Sequence, residues 1–253
     1  MRLGTLAALP DVAAMHHYAQ LGFEFIELCP PPGPFHHHTL PLRQDLPPLP
    51  LIWQLPRDLP LELDTYPAIT EGIMATCQAQ AAAAHSLGAV LLVLQFRLPP
   101  SLDQKARLID HYIAFLEPLT ADCRTKGLQV VLRMGPDNRE QLNILRDIIR
   151  QVPGLAFALD MAYAHIGVVK NLSPEYIWDS DLGPRLGHVY VSDTDGQHPH
   201  LRLPLGSLGK MAPEWPKLVK VLKERYNASV TIDVGQASAD YLALSRQKWL
   251  DWW

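Results

Sequence analysis

His188-Val189-Tyr190-Val191-Ser192-Asp193-Thr194-Asp195-Gly196 opens as an apolar, β-branched run and closes on two acids and a glycine. The first half reads as a buried strand and the Asp-Gly end as a turn. Seven further runs of this kind surround it: Leu3–Thr5, Phe23–Leu28, Leu51–Leu55, Val90–Phe96, Gln129–Met134, Leu155–Leu159 and Val230–Val234. Most are followed by a segment with helical spacing, which is the pattern of parallel βα units. Eight strands bury their inner faces without exposed edges by closing on themselves, so the expected fold is an α/β TIM (β/α)8 barrel. A flat doubly wound sheet is the alternative. It is usually marked by a glycine-rich turn after an early strand, and Thr5-Leu6-Ala7-Ala8-Leu9-Pro10 holds none.

A chain of 253 residues suits one such barrel, so residues 1–253 are expected to form a single domain. Ser101-x-x-Gln104 resembles a capping box, after which Leu102, Ala106, Ile109, Ile113 and Leu116 share a face. Leu142, Leu145 and Ile149 do the same later, as do Trp215, Leu218, Val219 and Leu222. Lys217, Lys220 and Lys223 lie between this last set and read as its solvated side rather than an anion site. From Pro30 to Pro60 nine or more prolines interrupt the rhythm, because proline removes a donor and restricts its predecessor. The segment reads as a long loop over the barrel mouth, either a structural crossing or a substrate lid. His36-His37-His38 within it reads as surface histidine rather than a metal cluster. Trp249, Trp252 and Trp253 read as packing residues near a C-terminal helix, with a partner surface as the alternative if the last two are exposed together.

The formal net charge is -4, and no long basic run is available to neutralise a phosphate backbone, so nucleic acid is not an expected partner. Cys29, Cys77 and Cys123 are isolated, which reads as small buried residues of a reducing compartment; Cys29, beside a strand end, is the one to test for reactivity. Neither a signal-peptide pattern nor an uninterrupted apolar span of about 20 residues is present, so a cytoplasmic location and no membrane are expected.

Acids fall at the ends of two of the expected strands, Asp160 and Asp233, whereas Gln129–Met134 carries Arg133 near its end. Strand ends converge in a barrel, so these three side chains are expected to meet. Arginine offers no acceptor and keeps its charge, and so repels a divalent ion; beside Asp160 or Asp233 it makes directional paired hydrogen bonds instead.

Three segments carry a family resemblance. Gly22-Phe23-Glu24-Phe25-Ile26-Glu27-Leu28, Ala158-Leu159-Asp160 with Tyr163, and His188–Gly196 followed by His200 and Pro204-Leu205-Gly206-Ser207-Leu208-Gly209 together resemble the xylose-isomerase-like barrel superfamily. That superfamily includes sugar and sugar-phosphate isomerases and epimerases and the type IV apurinic endonucleases. The resemblance implies a divalent-metal site of two glutamates, an aspartate and a histidine, the glutamates also shuttling a proton at a sugar carbon. The corresponding positions here are Arg133, Asp160, Tyr190 and Asp233, so one ligand is kept intact. For the endonuclease branch the positions are Gln95, Tyr163 and His198-Pro199-His200, of which only His200 is unchanged.

The expectation is a divergent sugar or sugar-phosphate isomerase or epimerase without metal or other cofactor; the alternative is a non-catalytic barrel that binds a small molecule or joins a protein complex. Glu27, Arg133, Asp160, Asp233 and His200 are the expected catalytic residues. Gln95, Tyr163, His188, Tyr190, Asp193 and His198 are expected to bind substrate. The expected partner is a small molecule, a sugar first, and a homo-oligomer is left open.

Overall fold

A computed structural model describes residues 1–31, 40–56, 67–95, 105–134, 139–166, 182–198, 201–207, 215–235 and 238–253. All eight expected runs are strands: β1 (Arg2–Ala8), β2 (Phe25–Cys29), β3 (Leu51–Gln54), β4 (Ala89–Gln95), β5 (Gln129–Met134), β6 (Ala156–Asp160), β7 (Leu186–Val191) and β8 (Ser229–Ile232). Each pairs in parallel with the next, and β8 closes on β1 from Arg2↔Ser229 to Thr5↔Ile232. The Thr5 hydroxyl reinforces that seam by donating to the Ile232 carbonyl at 3.2 Å.

The helices are α1 (Val12–Gln20), α2 (Pro67–Ser86), α3 (Lys105–Thr125), α4 (Arg139–Gln151), α5 (Met161–Ile166), α6 (Trp215–Arg225) and α7 (Ala239–Trp252). Their apolar stripes meet the outer faces of the strands in one large core. Leu142, Leu145 and Ile149 are buried as their spacing requires, and Lys217, Lys220 and Lys223 face solvent. The expected face of α3 is displaced. Ala106 is exposed and Ile109 and Ile113 are half-buried, whereas Tyr112, Phe115, Leu116, Leu119 and Cys123 are buried. The aromatic rings fill more of the space beneath the helix than the small Ala106 can, and they turn the helix toward themselves. Ser101 and Gln104 lie outside the described residues.

The proline-rich segment is a crossing where it is described. Because β2 and β3 are parallel, the chain must return from the mouth to the opposite end of the barrel, and Leu40–Pro50 completes that return with one 3-10 turn (Arg43–Asp45). Arg43 holds it by donating to the Pro47 and Leu49 carbonyls, both at 3.0 Å, and a His16 ring nitrogen lies 2.9 Å from the Asp45 carbonyl. His36, His37 and His38 lie outside the described residues.

At the C-terminal end of the chain Trp215 stacks on Trp252 (6.0 Å between centroids, 9° between planes) and meets Trp249 edge-on. Trp249 in turn stacks on Trp253 at 6.1 Å. Trp252 and Trp253 are half-buried against the core, which favours the packing role over a partner surface. Among the described residues no helix is long and apolar enough to cross a membrane.

A second apolar cluster fills the barrel itself: Phe25, Ile52, Val93, Val131, Ala156, Ala158 and the ring of Tyr190. Room for Phe25 exists because β1 supplies Gly4, where a Cβ would stand 2.4 Å from the ring. The inward residues two positions later on the strands are mostly polar, so the apolar plug supports a polar mouth.

Candidate functional site

Strand periodicity builds the site. Glu27 follows Phe25 by two residues, Arg133 follows Val131, Asp160 follows Ala158, and Thr231 and Asp233 follow Ser229, so all of them share the inward face. Glu27, Arg133, Asp160, His188, Tyr190, Thr231 and Asp233 are all buried.

Arg133 is the centre. Its Nη2 donates to Asp160 Oδ2 at 2.5 Å and to Asp233 Oδ2 at 2.6 Å, and its Nε donates to Asp160 Oδ2 at 3.2 Å. The guanidinium carbon lies 3.6 Å from the centroid of the Tyr190 ring, which forms the floor beneath it. Burial works against the guanidinium's charge, but Asp160 and Asp233 outweigh it and hold its pKa well above the ordinary value. Burial pushes the Asp160 carboxyl up, and Arg133 offsets only part of that rise.

Below the floor runs a chain of hydrogen bonds. The Tyr190 hydroxyl donates to Glu27 Oε1 at 2.5 Å, and the Thr231 hydroxyl donates to Glu27 Oε2 at 2.7 Å. His188 Nε2 lies 2.9 Å from Thr231 Oγ1, and His188 Nδ1 lies 2.7 Å from Ser229 Oγ. Since the Thr231 proton is given to Glu27, its oxygen accepts from His188, which places a hydrogen on Nε2. Burial and the Glu27 charge together push the Tyr190 phenol well above its usual range, so it stays a donor.

The remaining expected residues divide by position. Gln95 ends β4 beside Arg133 in register and is half-buried. Tyr163 opens α5 close to the cluster, its backbone N–H donating to Asp160 Oδ1 at 3.4 Å. Asp193 is a loop staple: it bridges Leu203 through its backbone, and its carboxylate accepts from the N–H groups of Thr194 and Gly206. His198 is 51% exposed and bound to Asp195, Nδ1 to Oδ2 at 2.7 Å, outside the buried cluster. That contact and two backbone donors hold the Asp195 carboxyl far below its ordinary value. His200 lies outside the described residues.

Two members of the cluster were not among the expected ones. Thr231 carried a signal, since it shares parity with Asp233 on one strand. Arg202 carried none, because it stands in the loop after β7. Its φ is 49°, and its Nε reaches within 3.4 Å of Asp233 Oδ2. Cys29 is half-buried with its thiol donating to Gln54 Oε1 at 2.9 Å, whereas burial pushes Cys77 up to about 12 and Cys123 up to about 11.

A divalent metal does not fit this donor set. The Asp160 and Asp233 oxygens nearest each other already bind one guanidinium, and the Tyr190 phenol is a donor committed to Glu27. Among the described residues no group of three or more His, Cys, Asp or Glu is arranged to hold a metal ion.

No protein-family model matches the sequence, and no curated protein matches it. Solved structures do. A D-tagatose 3-epimerase-like protein superposes with a TM-score of 0.80 at 15% identity, over 100% of this chain and 97% of that one. D-psicose 3-epimerase from Clostridium cellulolyticum H10, solved with D-tagatose, gives 0.73 at 14% identity over 99% and 97%. The 3-keto-D-glucoside 4-epimerase of E. coli gives 0.73 at 17% identity over 98% and 99%. The fold of this chain is a closed parallel (β/α)8 barrel, the fold that these solved sugar epimerases share.

Proposed function

We propose that this barrel is a divergent sugar or sugar-phosphate isomerase or epimerase in which Arg133 takes the part of a metal cation. The observation that carries the reading is the Arg133 fork between Asp160 and Asp233 at the mouth of a barrel shaped like those of sugar epimerases. In the reaction, the C–H bond beside a carbonyl breaks and its proton passes to a carboxylate oxygen of Asp233 or Asp160. The electron pair moves onto the carbonyl oxygen, giving an enediolate, and the guanidinium stabilises that charge. For epimerisation the other aspartate, in its protonated form, delivers a proton to the opposite face while the first keeps the one it took; for isomerisation the abstracted proton passes to the neighbouring carbon with the accompanying hydroxyl proton shift. One preorganised donor of this sort contributes about 10²–10³ in rate.

On this reading Gln95, in register with Arg133, and Tyr163, whose N–H meets Asp160, are the residues that contact the ligand. Glu27 and His188 act from below. Their role is to hold Tyr190 and Thr231, and through Tyr190 to hold Arg133, so Glu27 is a positioning residue. A binding-only barrel is the second reading, favoured by the engagement of both carboxylates with Arg133, which commits Oδ2 of each to the guanidinium.

The test is incorporation of solvent deuterium into a panel of aldoses, ketoses and their phosphates, followed by NMR, with and without prior chelation. The expected result is exchange that survives chelation and falls by at least a hundredfold in folded Asp233→Asn protein. Exchange abolished by chelation and restored by a divalent ion would overturn the metal-free mechanism. Binding without exchange in any member would favour the second reading.

A further inference from the structure

Two guanidinium groups, that of Arg133 buried and that of Arg202 15% exposed, meet at one carboxylate oxygen. Arg133 Nη2 and Arg202 Nε lie 2.6 and 3.4 Å from Asp233 Oδ2. Each leaves a buried donor without a hydrogen-bond acceptor among the described residues. Arg133 uses Nε and Nη2 on the two aspartates, while its buried Nη1 bonds to none of the described residues. Arg202 Nε is within ion-pair range of Asp233, but it too is buried and makes no hydrogen bond among the described residues.

Arg202 is held in place by its loop. A φ of 49° is uncommon for a residue with a side chain and is unfavourable in itself. The flanking contacts impose it: Asp193 exchanges two backbone hydrogen bonds with Leu203, at 2.8 and 3.1 Å, and its carboxylate accepts the Gly206 N–H at 2.8 Å. The backbone strain at Arg202 is thus maintained by a staple, and it turns a cation toward the mouth.

A guanidinium does not shed its proton, so a buried N–H of this kind is relieved only by an acceptor. Each one left unmet carries the desolvation penalty of a charged donor, and hydrogen bonds to charged partners return more than those to neutral ones. Asp160 occupies the edge formed by Arg133 Nε and Nη2, and Nη1 stands at the opposite corner. The charge of Asp160 and Asp233 is balanced by the two arginines, and the remaining negative charge, that of Glu27, lies beneath the Tyr190 ring and is bound by the Tyr190 and Thr231 hydroxyls. Arg133 Nη1 and Arg202 Nε are donors on two cations that share one aspartate oxygen, and a carboxylate has two oxygens to offer them, whereas a hydroxyl or carbonyl offers one.

We infer that Arg133 and Arg202 form a carboxylate-binding corner, and that the ligand of this barrel is an acidic sugar carrying a carboxylate. The word sugar rests on the function proposed above; the carboxylate rests on the two arginines alone.

The experiment uses the full chain and matched sets, each containing a neutral sugar, its uronic or aldonic acid and its phosphate ester. Binding is read by calorimetry and deuterium incorporation by NMR. The expected result is an acid that binds at least tenfold more tightly than its neutral and phosphorylated counterparts, a preference that shrinks to under threefold in Arg202→Gln. Arg202 is the informative variant because it is 15% exposed and less tied to folding than Arg133. Equal binding of acid and neutral sugar, preference for the phosphate, a preference that survives Arg202→Gln, or no binding by any member would each overturn the carboxylate corner. Acid binding without deuterium exchange keeps the corner and removes the epimerase reading. Exchange into a neutral sugar with no acid bound does the reverse.

Discussion

At the scale of the residue, the feature with the largest leverage is the Thr231 hydroxyl. It stands between His188 Nε2 and Glu27 Oε2, giving one hydrogen bond and receiving another inside a barrel from which water is excluded. Thr231→Val preserves shape and removes both bonds, leaving Glu27 Oε2 and the His188 Nε2–H, 3.5 Å apart, with only that long contact to each other. The expected loss is about 1–3 kcal/mol for each orphaned group, measured by urea denaturation. A variant within 0.5 kcal/mol of wild type, on the order of a surface change, would show that the network is not under load. Residue parity made much of this site legible beforehand: Arg133, Asp160 and Asp233 were expected to converge and do so. Arg202 was not legible, because its position depends on a loop staple made by Asp193 and not on a period along a strand.

At the scale of the element, β1 and β2 fit through a missing side chain. A Cβ at Gly4 would come within 2.4–2.5 Å of three atoms of the Phe25 ring, in a barrel interior with no slack. Gly4→Ala is therefore an overpacking change and is expected to destabilise by about 1–3 kcal/mol. Adding Phe25→Leu should recover part of that loss, and the double-mutant cycle should show a coupling of at least 0.5 kcal/mol. Additive effects in that cycle would remove the steric explanation. Elements also show where sequence patterns fall short. The strands were legible because apolar runs with a barrel's repeat have few other uses. The buried face of α3 was not, since a count of aliphatic residues gives too little weight to Tyr112 and Phe115, whose rings set its rotation.

At the scale of the whole molecule, two carboxyls link stability to pH with opposite signs. Burial raises the folded pKa of Asp160, so the stability tied to its proton is fully present below the unfolded value near about 4 and is lost as pH rises through the folded one. The advantage of wild type over Asp160→Asn, read from thermal midpoints, should therefore shrink between pH 4 and the folded pKa. Asp195 is held low by His198 and two backbone donors, so its contribution is present above about 4 and disappears as pH falls. Asp195→Asn should accordingly differ most from wild type at neutral pH. Parallel curves for both variants would contradict these assignments.

The tryptophan stack joins α6 to the end of α7, and it makes the closure of the chain visible to light. Indole rings 6.0 and 6.1 Å apart and nearly parallel exchange excitation, and the Nε1 groups of Trp215 and Trp249 are buried without a hydrogen-bond partner among the described residues. The native protein should show a paired positive and negative circular dichroism band in the indole region, together with blue-shifted emission. Trp252→Phe should remove the share of the paired band that comes from Trp215 and Trp252, leaving that of Trp249 and Trp253 and the barrel's far-ultraviolet signal in place. Followed during heating, the band reports when the last helix leaves the barrel wall, separately from the melting of the strands.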